Sequence, residues 1–340
     1  GEIRITNIAA TSPTIRLEQR ADGRASWQFT DASGAATIET QTSPDTAPRP
    51  FSIQKMNITD ATLIYDAEGA DLVKYEGVDL ALDWPERAGT ADIRATLRPA
   101  GAPVKVNATV GAFAGFLAGQ VQPVTVQLSA GKGTASLDGR ASTAGEVAGK
   151  LTLDLPDTGA FLQALGAAAV DLPQGLGRSI DMTSDITLTK DRRLSMRELV
   201  ANLGGNTLTG AADIALNGTP RVNAQLNAGA LDLTGVTGTG ENSPGGASTS
   251  QTASVGWPKD RIDASGLAAF NGEIALRASS VDLGSFKLGA TRTLLTNDNS
   301  RAVFDLREVD AYEGTITGQF IMNNRSGLSV GGKLFANGIS

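Results

Sequence analysis

The feature that most constrains this chain is a period-two alternation of apolar and polar residues, which is clearest over residues 301–340. Phe304 and Leu306 alternate with Asp305 and Arg307, and the alternation resumes after Gly314. Successive side chains of a strand point to opposite faces, so this pattern predicts half-buried β-strands. Turn-forming Asn, Ser and Gly residues at 323–327 separate two of the runs. We therefore expect a three-stranded antiparallel meander here.

The same alternation recurs through most of the chain, and the composition of 40 glycines with 5% aromatic residues fits many short strands and turns. One segment departs from it. Asp157 offers an N-cap, and Phe161, Leu162 and Leu165 form one helical stripe that ends at Gly166. We expect an all-β fold, an elongated, repetitive, mostly antiparallel twisted sheet, with one short amphipathic helix near residues 158–165 packed over an end or edge of the sheet.

Two segments of low-complexity composition divide the chain. Residues 39–50 carry three prolines, and residues 234–256 are too rich in Gly, Ser and Thr to hold a fold of their own. The predicted organisation is N-terminal strands over 1–38, a Pro-rich linker over 39–50, a central β region over 51–233, a flexible linker over 234–256 and a C-terminal β repeat over 257–340.

An internal repeat is also visible. Residues 207–210 (TLTG) and 315–318 (TITG) lie 108 residues apart, and each follows a run that contains Arg-Glu, at 197–198 and 307–308. Glycine inside a strand pattern commonly marks a bulge or a strong twist. The repeat unit is therefore predicted to be a meander of a few strands, used at least twice. A parallel β-helix is the less favoured alternative, since its repeats would be shorter and would lack hairpin turns.

The chain contains no His and no Cys, which excludes several classes of active site. A Ser-His-Asp triad, a disulfide, a thiolate nucleophile and a Cys- or His-ligated metal cannot be built. Acidic pairs such as Asp305 with Glu308, or Asp310 with Glu313, have the composition of glycosidase carboxylates. Acidic residues on the polar face of a strand usually serve solubility instead. We therefore predict no enzymatic activity, no metal and no cofactor.

The charge and hydropathy patterns indicate whether the chain binds nucleic acid and whether it contains a membrane-spanning helix. With 29 basic and 36 acidic residues and no dense basic run, the net charge of −7 argues against a nucleic-acid partner. No apolar run reaches the roughly 18 residues of a membrane-spanning helix. The first residues carry no signal peptide and already alternate like a strand, so we expect a segment of a longer protein whose membrane anchor lies upstream.

Several motifs, in order along the chain, resemble the AsmA-like family of bacterial envelope proteins. Residues 12–17 (SPTIRL) and 22–27 (DGRASW) are similar to that family's P-x-I-x-L and D-G-R-x-N-W patterns, with Ser26 in place of Asn. Further similar segments are 161–166 (FLQALG), 193–203, 205–210, 221–233, 271–274 (NGEI), 288–289, 311–314 (AYEG) and the residues from 318 onward. The resemblance covers nearly the full chain.

The resemblance implies a periplasmic segment of a protein anchored in the inner membrane of a Gram-negative envelope. The family is implicated in outer-membrane assembly and in moving phospholipid along a long, open β-groove, and it has no known catalytic residues to carry over. The implied partners are therefore phospholipid or another envelope lipid, together with envelope proteins. The alternative function is a non-catalytic periplasmic scaffold that binds envelope proteins without carrying lipid.

The residues alone leave two arrangements open for the apolar face. They favour a closed sheet-on-sheet core, because an apolar face must be buried somewhere. The resemblance favours a sheet curled into a groove whose apolar face stays partly open. The residues that line the groove under this hypothesis are Val104, Val106, Val124, Val126, Leu151, Leu153, Ile214, Leu216, Phe320 and Met322.

Overall fold

A computed structural model of the protein describes residues 3–20, 26, 51–168, 172–235, 265–325 and 327–338. Strands dominate these residues, as the alternation predicts. The strands of the N-terminal half are β1 (Ile3–Ile5), β2 (Ile8–Thr11), β3 (Thr14–Gln19), β4 (Phe51–Ile53), β5 (Lys55–Ala67), β6 (Val73–Asp83), β7 (Ala91–Leu97), β8 (Val104–Val110), β9 (Gln122–Ala130), β10 (Gly133–Ala141) and β11 (Val147–Leu155). The remaining strands are β12 (Ile180–Leu188), β13 (Arg193–Leu203), β14 (Asn206–Ala215), β15 (Arg221–Asp232), β16 (Asn271–Asp282), β17 (Lys287–Leu288), β18 (Thr291–Asp298), β19 (Arg301–Ala311), β20 (Gly314–Asn323) and β21 (Ser329–Asn337).

The predicted all-β, mostly antiparallel class is confirmed. Apart from the two-stranded sheet of β1 and β4, the strands form one mixed sheet in which most pairings are antiparallel. The exceptions are β2 and β3, which both pair in parallel with β5, and β15, which pairs in parallel with β16. The meander predicted at residues 301–340 is the antiparallel series β19, β20 and β21.

The chain divides into two compact units within β13. The first unit contains Gly1–Leu172 and Arg178–Arg197, and the second contains Pro173–Gly177 and Glu198–Ser340. The Pro-rich linker and nearly all of the 234–256 linker lie outside the described residues, as does most of the 22–27 motif. The domain boundaries expected from the sequence therefore stay predictions.

Within the described residues, three short helical elements interrupt the strands: α1 (Phe113–Leu117), α2 (Thr158–Ala164) and the 3₁₀ helix η1 (Ser265–Ala268). The predicted helix is confirmed as α2, with the carboxylate of Asp157 accepting the main-chain N–H of Ala160 at 2.9 Å. The sequence did not indicate α1. In the described part of the chain, no helix is both long enough and apolar enough to cross a membrane.

Candidate functional site

Two rows of side chains run side by side across nine strands of the first unit, on one face of its sheet. We call them rung A and rung B; within a rung, each residue is the Cα partner of the next one on the neighbouring strand. Rung A consists of Ile8, Met56, Leu82, Ile93, Ala108, Val126, Leu137, Leu151 and Ser184. Rung B consists of Ala10, Ile58, Leu80, Ala95, Val106, Leu128, Ala135, Leu153 and Met182.

The rungs form a continuous apolar strip. Neighbouring strands lie about 4.8 Å apart, so nine strands extend the strip over about 38 Å. Ser184 is its single polar member, and the Ser184 hydroxyl is buried and donates to the main-chain oxygen of Arg197 at 2.9 Å. No polar group on the strip is therefore left to be satisfied by a ligand.

The opposite face of the same strands is polar. On β8, Lys105, Asn107 and Thr109 are exposed, whereas Val106 and Ala108 between them are partly buried. Strand β9 has the same pattern, with exposed residues at 125 and 127. The sheet of the first unit thus has one apolar face and one solvated face, which is what period-two alternation predicts.

The two α-helices cover the apolar face at opposite ends of the strands. Phe161 of α2 packs against Val104 at the start of β8, within a cluster that also includes Ala130 and Leu155. Phe113 of α1 packs against Val110 at the end of the same strand. The two valines lie six positions apart on β8, or about 20 Å along the strand. Rungs A and B run between these two covered margins.

Most side chains on the rungs stay partly exposed, with Ile58 and Ser184 as the buried exceptions, whereas those beneath the helices are buried. Val104 and Val124, which lie under α2 and α1, are 1% and 4% exposed. Val106, Val126 and Leu151 on the rungs are partly exposed. A second sheet packed on this face would bury such residues fully.

No second layer is found where the structure describes the first unit. Each of its hydrophobic clusters joins neighbouring strands, with at most one helix added, and none joins strands that face each other. A sheet-on-sheet core would produce clusters of the second kind. The strip between the helices is therefore an open apolar surface.

A comparable row crosses the second unit. It consists of Ala212, Ala224, Ile274, Leu295, Phe304 and Phe320, again as successive Cα partners. The rings of Phe304 and Phe320 lie 6.0 Å apart. Ile214 and Met322 lie on the same face, as the partners of Val222 and Ala302.

The ten candidate residues therefore occupy four kinds of position. Val106, Val126, Leu151 and Leu153 lie on the rungs, and Ile214, Phe320 and Met322 lie on the apolar face of the second unit. Val104 and Val124 lie beneath the helices and are closed to a ligand in this conformation. Leu216 follows the end of β14 and is 38% exposed.

Two buried asparagines position the margins of the second unit, and sequence reasoning missed both. The side-chain amide of Asn297 donates to the main-chain oxygens of Leu267 and Phe270 at 2.9 and 2.7 Å, and so fixes the chain around η1 at one end of the strands. Asn206, at the opposite end, donates to the carbonyl oxygens of Gly175 and Asp232, both at 2.8 Å. An Asn in a turn-rich chain reads as exposed, so the sequence held no signal for either.

Charged groups lie away from the rungs, where they pair with each other in solvent. Glu308 lies 3.5 Å from Arg292, and Asp305 lies 3.5 Å from Arg307, so this acidic pair considered from the sequence is divided between two separate ion pairs. The pKa of Asp79 is held below its ordinary value, chiefly because the main-chain N–H of Asp60 donates to its carboxylate. Among the described residues, no group of three or more acidic side chains is placed to hold a metal ion.

Comparison with known proteins adds no relative: no family model, no curated protein and no solved structure matches this chain. The fold and the site define a structural class, that of mostly antiparallel β-sheet proteins with an open apolar face.

Proposed function

We propose that this protein binds the acyl chains of phospholipid along rungs A and B. In this proposal it is a periplasmic segment of an AsmA-like, inner-membrane-anchored protein, and it supports outer-membrane assembly and lipid homeostasis by holding or conducting lipid between the two membranes. The family and the periplasmic location rest on the motif resemblance. The observation that carries lipid binding is the continuous strip of aliphatic side chains, most of them partly exposed, over which the described residues of the first unit place no second layer.

The energetics of such a strip suit a mobile lipid. Burying one methylene group is worth about 0.8 kcal/mol, so a chain of about sixteen carbons that is fully sheathed gains on the order of 12 kcal/mol. A surface that covers one side of the chain provides roughly half of that. This is enough to hold an acyl chain, and it leaves a shallow free-energy profile for movement along the strip.

The chemistry of the rungs also favours chains over headgroups. The rungs hold only aliphatic side chains apart from Ser184, so they offer neither a deep pocket nor a charge that would fix one headgroup. A polar headgroup would remain in water beside the strip, because burying it without hydrogen bonds costs several kcal/mol. The proposed ligand is therefore recognised by its hydrocarbon.

Neighbouring residues on β9 provide a matched test. Val126 lies on rung A, and Thr125 is exposed on the opposite face of the same strand. Val126→Asp places a charge on the strip and is expected to weaken binding of a fluorescent fatty acid at least about tenfold. Thr125→Asp adds the same charge to the polar face and should bind like the wild type. Circular dichroism checks that both variants fold.

If Val126→Asp does not fold, Val126→Thr replaces it in the binding test, because threonine keeps the shape of valine and places a polar hydroxyl on the strip. Native mass spectrometry of the purified wild-type protein provides a second readout, with co-purified phospholipid expected. Equal fatty-acid binding by the Val126 and Thr125 variants, or a wild-type protein that takes up no lipid, would rule out the proposal and favour the scaffold function.

A further inference from the structure

One motif of three consecutive strands occurs twice in the chain, which explains the sequence repeat. The first copy is β13, β14 and β15, and the second is β19, β20 and β21. Gly210 is the fifth residue of β14 and Gly318 the fifth residue of β20, with φ of 153° and 133°. Their Cα partners are Leu226 and Leu334, which lie 108 residues apart like the glycines themselves.

The irregularities of the two copies also correspond. A Cβ atom on Gly210 would overlap the carbonyl oxygen of Gln225, and one on Gly318 would overlap that of Lys333. The Arg-Glu pairs mark the distorted part of the first strand in each copy. Glu198 has a φ of 48°, and the pairing of β19 with β20 shifts register across residues 307–308. The third strands, β15 and β21, are therefore equivalent elements.

The two third strands differ in what covers their second edge. Strand β15 pairs with β14 on one edge and with β16 on the other, in parallel, from Arg221 opposite Asn271 to Asp232 opposite Asp282. Strand β21 pairs with β20, and no strand within the described residues pairs with its other edge.

The uncovered edge leaves apolar side chains in solvent. Val330 and Leu334 of β21 are 53% and 58% exposed, whereas their equivalents in β15, Val222 and Leu226, are partly buried beside β16. Phe335 is 65% exposed. A strand edge also presents main-chain N–H and C=O groups in a row, and these are a template for another strand.

The geometry points to the free edge of β21 as a docking site for an extended peptide segment that joins the sheet in parallel, as β16 joins β15. The first copy of the motif shows which chemistry fits. In β16, Ile274 and Leu276 continue the apolar face beside Ala224 and Leu226, while Glu273 and Arg277 point to the polar face. The occupant of the β21 edge is accordingly a strand with aliphatic residues at every second position. This site is independent of lipid binding.

A synthetic peptide with the sequence of residues 271–282 (NGEIALRASSVD) is the probe. A control peptide of the same composition exchanges the positions of Glu273 and Ile274, and of Leu276 and Arg277, so that its aliphatic residues face the wrong side. The first peptide is expected to bind the full chain about tenfold more tightly in fluorescence anisotropy. It should also slow hydrogen exchange at the amides of β21.

Two variants of β21 complete the test. Leu334→Glu should weaken binding of the probe peptide about tenfold, and because Leu334 is already largely exposed the fold should persist. Lys333→Gln on the other face should leave binding unchanged. No binding, equal binding of the two peptides, or protection of β15 instead of β21 would overturn the inference. A dimer in sedimentation that Leu334→Glu abolishes would also overturn it, and would identify a second copy of the chain as the occupant.

Discussion

Single residues decide whether the strands can pair as closely as they do, and Gly318 is a clear case. Its φ of 133° is rare for any other residue, and an added Cβ would overlap the carbonyl oxygen of Lys333. Gly318→Ala is therefore expected to lower the free energy of unfolding by about 1–3 kcal/mol in urea denaturation. Gly331 on β21 has open space at its Cβ position, so Gly331→Ala should stay within about 0.5 kcal/mol of the wild type. Equal losses would show that close backbone approach is not what selects glycine.

The carboxylate of Asp79 links the stability of the β5 bulge to pH. Asp60 has a φ of 54°, and its main-chain N–H donates to Asp79 at 3.0 Å, with Arg98 3.3 Å from the same carboxylate. These groups lower the pKa of Asp79 in the folded state. The ionised carboxylate of Asp79 therefore stabilises the fold above its unfolded-state pKa of about 3.9. This stabilisation is lost as pH falls through the lower pKa that Asp79 has in the folded state.

The expected result for Asp79→Asn follows from this loss of stabilisation at low pH. The variant should be less stable than the wild type near neutral pH, and the difference should shrink as pH falls from about 5 to about 2. Thermal unfolding followed over this range measures it. Asp138→Asn, an exposed position on β10, is the matched control. A difference between Asp79→Asn and wild type that stays constant with pH would contradict the role given to the carboxylate.

Residue-level features were the least predictable from the sequence. The left-handed conformation of Asp60 arises from the neighbouring strand, since a bulge is a property of a strand pair. Asn206 and Asn297 are buried because other segments bring carbonyl oxygens to them. Neither contact leaves a trace in the local sequence.

Among the elements, α2 was predictable and α1 was not. Helix α2 has a local start signal, since Asp157 caps it through the N–H of Ala160. Helix α1 has five residues, begins after Ala112 in a left-handed conformation and has no side-chain cap. Burial of Phe113 against Trp84 and Val110 holds it instead, and that contact depends on the finished sheet.

The cap of α2 can be tested directly. Asp157→Ala removes the hydrogen bond to Ala160 and is expected to lower the free energy of unfolding by about 1 kcal/mol, with faster hydrogen exchange at the amides of α2. Asp157→Ser should restore most of the loss, because serine also caps helices. Asp154→Ala, at an exposed position on β11, is the control. Unchanged exchange in α2 after Asp157→Ala would show that packing of Phe161 alone holds the helix.

For the chain taken together, alternation was enough to predict the fold class and the presence of an apolar face. It was not enough to predict which residues share a rung, because a register shift of one residue moves every side chain to the other face. The alternation also could not predict the parallel pairing of β15 with β16, since hairpin signals indicate antiparallel neighbours only. The open strip between α1 and α2 depends on both the register and the unpredicted helix.

Whether lipid chains lie on this strip can be measured by photo-crosslinking. A phospholipid with a photoreactive group in one acyl chain is irradiated with the full chain, and the adducts are mapped by peptide mass spectrometry. Adducts are expected on the rungs, at Val106, Val126 and Leu151, and not at Lys105 or Gln127 on the polar face. Adducts confined to the polar face, or spread equally over both faces, would show that the rungs do not hold lipid.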